Sequence, residues 1–224
     1  MTPDNDACPL YTDSVSAPSK TTSIRLFQNP LLEAMTHVHP IVPLLMWAPV
    51  VAYLQILTHR AGLDSVGVLA MSAAGFGVWT LAEYLLHRFA FHYRATSAFA
   101  ERVVYLAHGN HHDAPQDATR LVMPPLPAVI LATLLYVTFR TMLGTQWVMP
   151  FFSGFLVGYL CYDYIHYGIH HFMPTSAIGK YLKNHHMKHH YMTHGARWGV
   201  STPIWDMVFG TMEEKVPASV KRGA

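Results

Sequence analysis

Four apolar stretches, near residues 41–57, 66–86, 125–143 and 147–165, dictate most of what this chain can become. A helix of about 20 residues, rising roughly 1.5 Å per residue, matches a hydrocarbon core of about 30 Å. Each stretch is therefore expected to cross a membrane as a helix. Composition argues against the alternative, four buried helices of a soluble protein. Hydrophobic residues make up 51% of the 224 and charged residues only 12%, about half the quarter usual in soluble domains. The first stretch is short and carries Pro43 and Pro49, so it is expected to tilt, kink or thin the bilayer locally.

The connections set an orientation. Gly62 and Asp64 lie in a short turn between the first two stretches, and Gly144 and Thr145 join the last two. Residues 87–120 and the chain after 166 then share a side with the N-terminus. Thirteen of the 15 Lys and Arg residues fall on that side; only Arg60 and Arg140 fall on the other. The positive-inside bias makes the shared side cytoplasmic. Residues 176–194 read as a further helix, mixing Lys180, Lys183 and Lys188 with Tyr181, Leu182, Met187 and Tyr191 as an interfacial helix does. Gly154-x3-Gly158 has the close-packing spacing of membrane helices and reads as ordinary bundle packing.

Ten of the 16 histidines fall into four clusters, each where an apolar stretch ends and all on the cytoplasmic side. They are His87-x4-His92, His108-x2-His111-His112, His166-x3-His170 and His186-x2-His189-His190. Imidazole is the commonest nitrogen ligand for transition metals. Ten are too many for one ion but suit two ions with about five ligands each. Spacings of three and four residues put rings on one helical face; Gly109 and Asn110 make helix less certain across the second cluster. His87 and His92 are five apart, about 140° around an unbroken helix. Either that helix breaks near Phe91 or the two serve different ions. Glu83 and Asp163, four and three residues before His87 and His166, are candidate outer acceptors that hold an imidazole N–H. His37, His39, His59, His171, His185 and His194 lie out of pattern and read as structural or, at most, outer partners.

A single histidine pair at a membrane edge is usually just solvated. Four clusters converging on one side carry the metal reading. Without cysteine in the ligand set, iron–sulfur clusters are excluded and structural zinc is disfavoured. Cys8 and Cys161 offer neither a disulfide framework nor thiolate spacing. The set suits a pair of non-haem irons, with zinc as an inert substitute. Net charge of +2 and no basic–aromatic stripe argue against nucleic acid. No cleavable signal peptide is evident at the N-terminus.

The segments EYLLHRFAFH at 83–92 and HGNHHDAPQDATRLVMPP at 108–125 resemble the fatty acid hydroxylase superfamily, specifically its 2-hydroxylases. The likeness continues through YDYIH at 162–166, LKNHHMKHH at 182–190 and GVSTPIWDMVFGT at 199–211, and begins upstream with IRLF at 24–27 and PLLE at 30–33. The histidine motifs mark only the superfamily, which includes sterol and carotenoid oxidases. The flank from Asp117 through Arg120 to Pro125 favours the 2-hydroxylases.

The resemblance implies an all-α protein, a four-helix transmembrane bundle with a cytosolic helical cap holding a histidine-rich dimetal site. The domain would span residues 24–211, between a flexible tail at 1–23 and a C-terminal tail at 212–224. It also selects His186 rather than His185 in the last cluster. The implied reaction is insertion of one oxygen atom from dioxygen at the 2-position of a long acyl chain. The implied cofactor is two iron ions, and the substrate a membrane acyl lipid or fatty acid. No His-Pro-Gly-Gly haem motif is present, so electrons are expected from a separate donor protein. The expected location is a bacterial inner membrane or the endoplasmic reticulum, with the site facing the cytoplasm. Three readings compete. A sterol or carotenoid oxidase would be separated by product analysis. A bis-histidine haem carrier would show a Soret band. A non-catalytic metal-binding membrane protein would leave lipids unchanged.

Overall fold

A computed structural model describes residues 23–193 and 195–213; the expected tails and His194 lie outside these, apart from residues 23, 212 and 213. Among the described residues all regular structure is helical. Helix α1 (Pro30–Met35) is short; α2 (Val42–Arg60) and α3 (Ser65–Leu85) are long and apolar. Gly62 in the left-handed region (φ +68°) turns the chain between them, and the Asp64 carboxylate caps α3 by accepting from Gly67 N–H at 2.7 Å. After α3 come a π-helical turn (Leu86–Phe91), α4 (Ala98–Val104), a second π-helical turn (Tyr105–Gly109) and α5 (Asn110–Asp113). Then follow α6 (Pro125–His171), α7 (Ala177–Tyr191) and α8 (Ile204–Phe209).

Among the described residues three helices are long and apolar enough to cross a membrane: Val42–Arg60, Ser65–Phe91 with its π-helical extension, and Pro125–His171. The third is not one rod. Gly144 interrupts it at φ 76°, ψ 173°, a conformation that only glycine adopts without strain. Phe139 then packs edge-on against Phe151 and Phe155 with ring centroids 4.9 and 5.4 Å apart. Sixteen residues of straight helix would separate Phe139 from Phe155 by about 24 Å, so α6 folds back into two facing arms. The expected stretches 125–143 and 147–165 are these arms.

The second arm is the central post. It buries Val148, Phe152, Phe155, Leu156 and Tyr159 against Trp47 and Leu54 of α2 and Trp79 of α3. A Cβ on Gly75 would strike the Phe151 carbonyl, and one on Gly154 the Ser72 carbonyl. Helices α3 and α6 therefore meet backbone to backbone, which small residues alone permit. Gly154-x3-Gly158 is this contact surface, with Gly158 under Trp79. The outer faces carry exposed Leu45, Ile56, Leu69, Leu134, Val137 and Met142. Such a belt suits hydrocarbon as its solvent and would be a large liability in water.

The expected helix at 176–194 is observed as α7, capped by Ser176, with His185, His186, His189 and His190 turned inward and Tyr181 and Tyr191 exposed. Lys183 Nζ donates to the carbonyls of Ile169 and Phe172 at 2.7 and 2.8 Å. It thereby caps the end of α6 and fixes α7 across it.

Candidate metal centre

The ten clustered histidines converge in two groups of five. His87, His92, His108, His112 and His189 form one; His111, His166, His170, His186 and His190 form the other. Within each group the candidate ligand nitrogens all lie within 4.8 Å of one another, a gathering that could hold a metal ion. The sequence clusters do not map one to an ion. Neighbouring His111 and His112 face different groups, as do His189 and His190. The groups adjoin, with the rings of His112 and His190 stacked at 4.3 Å.

His87 and His92 share a group, and the helix does end near Phe91, with His92 already outside helical geometry (φ −107°, ψ 28°). Before it ends, the chain widens into a π-turn whose His92 N–H donates to the His87 carbonyl at 3.2 Å. An i to i+5 turn brings residues five apart onto one face, and such turns recur at functional sites. The two rings stand 5.1 Å apart. The second cluster is helical through another π-turn, where the Asn110 amide donates to the Tyr105 and Leu106 carbonyls.

Ring nitrogens face one another at short range. Nε2 to Nε2 separations are 3.1 Å for His87–His108 and His108–His112, and 3.0 Å for His166–His186, His170–His186 and His186–His190. Two nitrogens about 2.1 Å from one ion, at right angles, would stand about 3.0 Å apart. The tautomers support the same conclusion. His87 Nδ1 donates to the Trp198 carbonyl at 2.6 Å and His189 Nδ1 to the Ala196 carbonyl at 2.8 Å. Their Nε2 atoms are then bare lone pairs aimed at other imidazoles, an arrangement that calls for a cation. Burial, and then neighbouring imidazoles, hold His108, His111 and His186 well below the ordinary histidine range and push His190 down likewise. Neutral rings are what a metal requires.

The carboxylates expected to hold imidazole N–H groups do not do so. Glu83 is buried beside His87 but accepts from the backbone N–H groups of Val200 and Ser201 at 2.7 and 2.8 Å, and from the Ser201 hydroxyl. It fixes the loop that presents the Trp198 carbonyl, one step behind the ring. Asp163 does not hold His166, whose Nδ1 has no partner. Among the out-of-pattern histidines, His37 meets Thr119 and Arg120, His39 accepts from Ile41 N–H, and His185 donates to Asp206.

Beside the histidines lies a cavity of about 810 Å³. Its wall is largely apolar: Trp47, Trp79, Leu131, Leu135, Phe155 and Leu156 run along it, and His108, His111 and His166 stand at its histidine end. Trp47 Nε1, Trp79 Nε1, Arg120 Nε and His166 Nδ1 of residues on this wall are buried without a protein partner, and the Tyr159 hydroxyl lies beside the Asp163 carboxylate. An apolar slot with a few convergent polar groups is the form of a small-molecule site.

A family model for fatty acid hydroxylase matches residues 72–211. The chain belongs to the fatty acid hydroxylase family. It is a hydroxylating enzyme, similar to a dihydroceramide fatty acyl 2-hydroxylase of Arabidopsis thaliana at 36% identity, over 84% of this chain and 79% of that protein. It is 36% identical to a fatty acid 2-hydroxylase of Rattus norvegicus over 84% of this chain and 56% of that one. With a ceramide very long chain fatty acid hydroxylase of Saccharomyces cerevisiae it shares 37% identity over 90% of this chain and 53% of that one. The solved structure of full-length Scs7p, in which only the hydroxylase domain is visible, superposes with a TM-score of 0.79, at 37% identity, covering 84% of this chain and 71% of that one.

The hydroxylase uses residues that sequence reasoning passed over. The Trp198 and Ala196 carbonyls carry no signature, because any residue supplies a backbone oxygen. Asp206 had a weaker signal, standing as the lone carboxylate of the resembling segment 199–211. It accepts from Trp198 N–H, Gly199 N–H and Thr211 Oγ1 at 2.7 to 2.9 Å.

Proposed function

We propose that this hydroxylase inserts one atom of dioxygen at the 2-position of a long acyl chain, using two iron ions held by the ten histidines, five to each. The observation that carries this reading is the junction of an apolar cavity with both histidine groups: His108 belongs to one, His111 and His166 to the other. Such a pair of ions, when bound, supplies the oxidising power and the activation of dioxygen. The overall balance puts one oxygen atom into a C–H bond and releases the other as water, with two electrons and two protons from outside. A separate electron-donor protein supplies the electrons.

The chain itself supplies position and dryness. An acyl chain offers many equivalent methylenes, so regiochemistry must come from where the tail is gripped and where its polar end is stopped. The tail lies along Leu131, Leu135, Phe155 and Leu156. The unpartnered Trp79 Nε1 and the adjacent Tyr159 hydroxyl and Asp163 carboxylate meet the substrate's polar atoms. An apolar slot filled by an acyl chain also keeps water from the reactive centre and limits side reactions.

In this reading the domain runs over residues 24–211, both arms of α6 cross the bilayer to give four spans, and α4, α5, α7 and α8 form a cytosolic cap. The substrate is a membrane acyl lipid or fatty acid; the names of the plant and yeast relatives favour an acyl group held in an N-acyl sphingoid lipid. Lipids from cells expressing the chain should gain 2-hydroxy acyl groups, and His166→Ala should abolish that gain. Unchanged lipids in cells supplied with iron and a reductant would count against the proposal.

A further inference from the structure

The two histidine groups are built alike in number but unlike in support. In the group around His87, Nδ1 of His87 and of His189 is tied to a backbone carbonyl, at 2.6 and 2.8 Å. In the group around His186, the Nδ1 atoms of His166, His170, His186 and His190 are all buried without a partner. Among the described residues, every unpartnered buried Nδ1 of the ten belongs to this second group.

The supporting carbonyls are themselves held firmly. They sit on residues 196–201, a loop pinned from two sides. Asp206, fully buried, gathers Trp198 N–H, Gly199 N–H, the Thr211 hydroxyl and His185. Burial pushes its carboxyl up, but these donors outweigh it and keep the carboxylate charged. From the other side Glu83 takes Val200 N–H and Ser201 N–H. Between the two carbonyls, Arg197 sits at φ 63°, a left-handed conformation that a non-glycine residue keeps only when its surroundings enforce it. Arg197 N–H donates to the Thr211 carbonyl at 2.9 Å. Among the described residues, no such carbonyl holds Nδ1 of His166, His170, His186 or His190.

We infer that the two metal sites are unequal: the ion among His87, His92, His108, His112 and His189 is firmly retained, and the ion among His111, His166, His170, His186 and His190 is the exchangeable one. This rests on the dimetal reading above. An N–H donated to a fixed acceptor sets the tautomer, aims the ring and raises the basicity of the ligating nitrogen. Loss of such a partner typically costs about 10- to 100-fold in metal affinity. Asp206 is a positioning residue for the retained ion, acting through the loop. Its replacement by Asn would turn an amide N–H towards donors that now meet an oxygen.

The test uses the detergent-solubilised, metal-loaded full chain, titrated with a chelator such as EDTA, with the metal remaining on the protein measured. Two ions per chain should leave in two steps, the first at a chelator concentration at least about tenfold below the second. His166→Ala should retain a single ion of the resistant kind. Asp206→Asn should shift only the resistant step, by about tenfold towards easier release, and leave the labile step within about twofold. A merely structural defect would move both steps, so the unmoved labile step is the internal control. Two ions released together, or a labile ion remaining in His166→Ala, would overturn the ranking alone. Less than two ions per chain on the unmutated protein, after loading with excess ferrous iron, would overturn the dimetal reading beneath it.

Discussion

An imidazole binds a metal only through a bare nitrogen, so protons and metal compete for the same atom. In this chain burial has already settled that competition in favour of the neutral ring. The folded values of His108, His111 and His186 lie below the ordinary 6.5. Below about pH 6.5 the unfolded chain therefore binds more protons than the folded one, and stability must fall with pH. The contribution is fully present above that value and is lost as pH drops from there towards the folded values. Thermal melts of the metal-free hydroxylase should show a Tm that declines steadily from about pH 7 to pH 5; a flat profile would mean that the rings are not buried neutral. Asp163 makes a different kind of prediction. It makes no hydrogen bond to His166 Nδ1 and lines the cavity beside Tyr159, so Asp163→Asn should reduce 2-hydroxy product about tenfold or more while bound metal stays unchanged. Product yield and metal content measured on one preparation check both halves. The gathering of the ten clustered histidines was legible because the capacity to hold a metal depends on residue type. The carbonyls of Ala196 and Trp198 were not, because their role depends only on where the backbone runs.

Spans were legible for the same physical reason that they exist: about 20 apolar residues need a nonaqueous solvent. The expected 41–57 and 66–86 became Val42–Arg60 and Ser65–Leu85, and Gly144 marked the fold-back of α6 as read from the sequence. Winding was not legible. Apolar periodicity assumes 3.6 residues per turn, and nothing in LHRFAF announces an i to i+5 turn. Its consequence can be tested by changing the register. Deleting Ala90 would place the two histidines four apart, on one face of an ordinary α-helix. Inserting an alanine there would place them six apart, about 120° around the helix and about 9 Å along it, off a shared face. Metal content should survive the deletion and fall by one ion per chain on insertion. Helix contact offers a second test at this scale. Gly75 has no room for any Cβ against Phe151, so Gly75→Val should separate α3 from α6 and lower stability by about 1–3 kcal/mol or more. A melt in detergent, compared with Gly77→Val at an open position on the same helix, isolates packing from helix propensity.

The molecule as a whole has a polarity that no single helix reveals. Both histidine groups, the loop 196–201, α7 and the residues 23–38 that help wall the cavity gather at one end of the long helices. Arg120 ties that end together, bonding the Ile24 carbonyl, Glu33 and His37. Burial raises the Glu33 carboxyl, but the N–H groups of Phe27 and Leu26 and the Arg120 guanidinium outweigh it and hold it at about 2. The clasp therefore stays charged at any physiological pH. At the far end are the Gly62 turn and the Gly144 fold-back, with Arg60 and Arg140 as the only Lys or Arg there among the described residues. If both arms of α6 cross the bilayer, Ala61 and Thr145 emerge together on the side opposite Thr96. Single cysteines at these three exposed positions, in a chain whose Cys8 and Cys161 are replaced by alanine, turn that geometry into a measurement. A membrane-impermeant maleimide applied to intact cells should label Ala61→Cys and Thr145→Cys, and should reach Thr96→Cys only after the membrane is opened. Labelling of Thr96→Cys from outside would place the metal centre on the wrong face for a cytoplasmic electron donor. Protection of Thr145→Cys beside a labelled Ala61→Cys would mean that α6 does not cross the membrane twice, leaving its first arm to lie along the interface as a wall of the cavity.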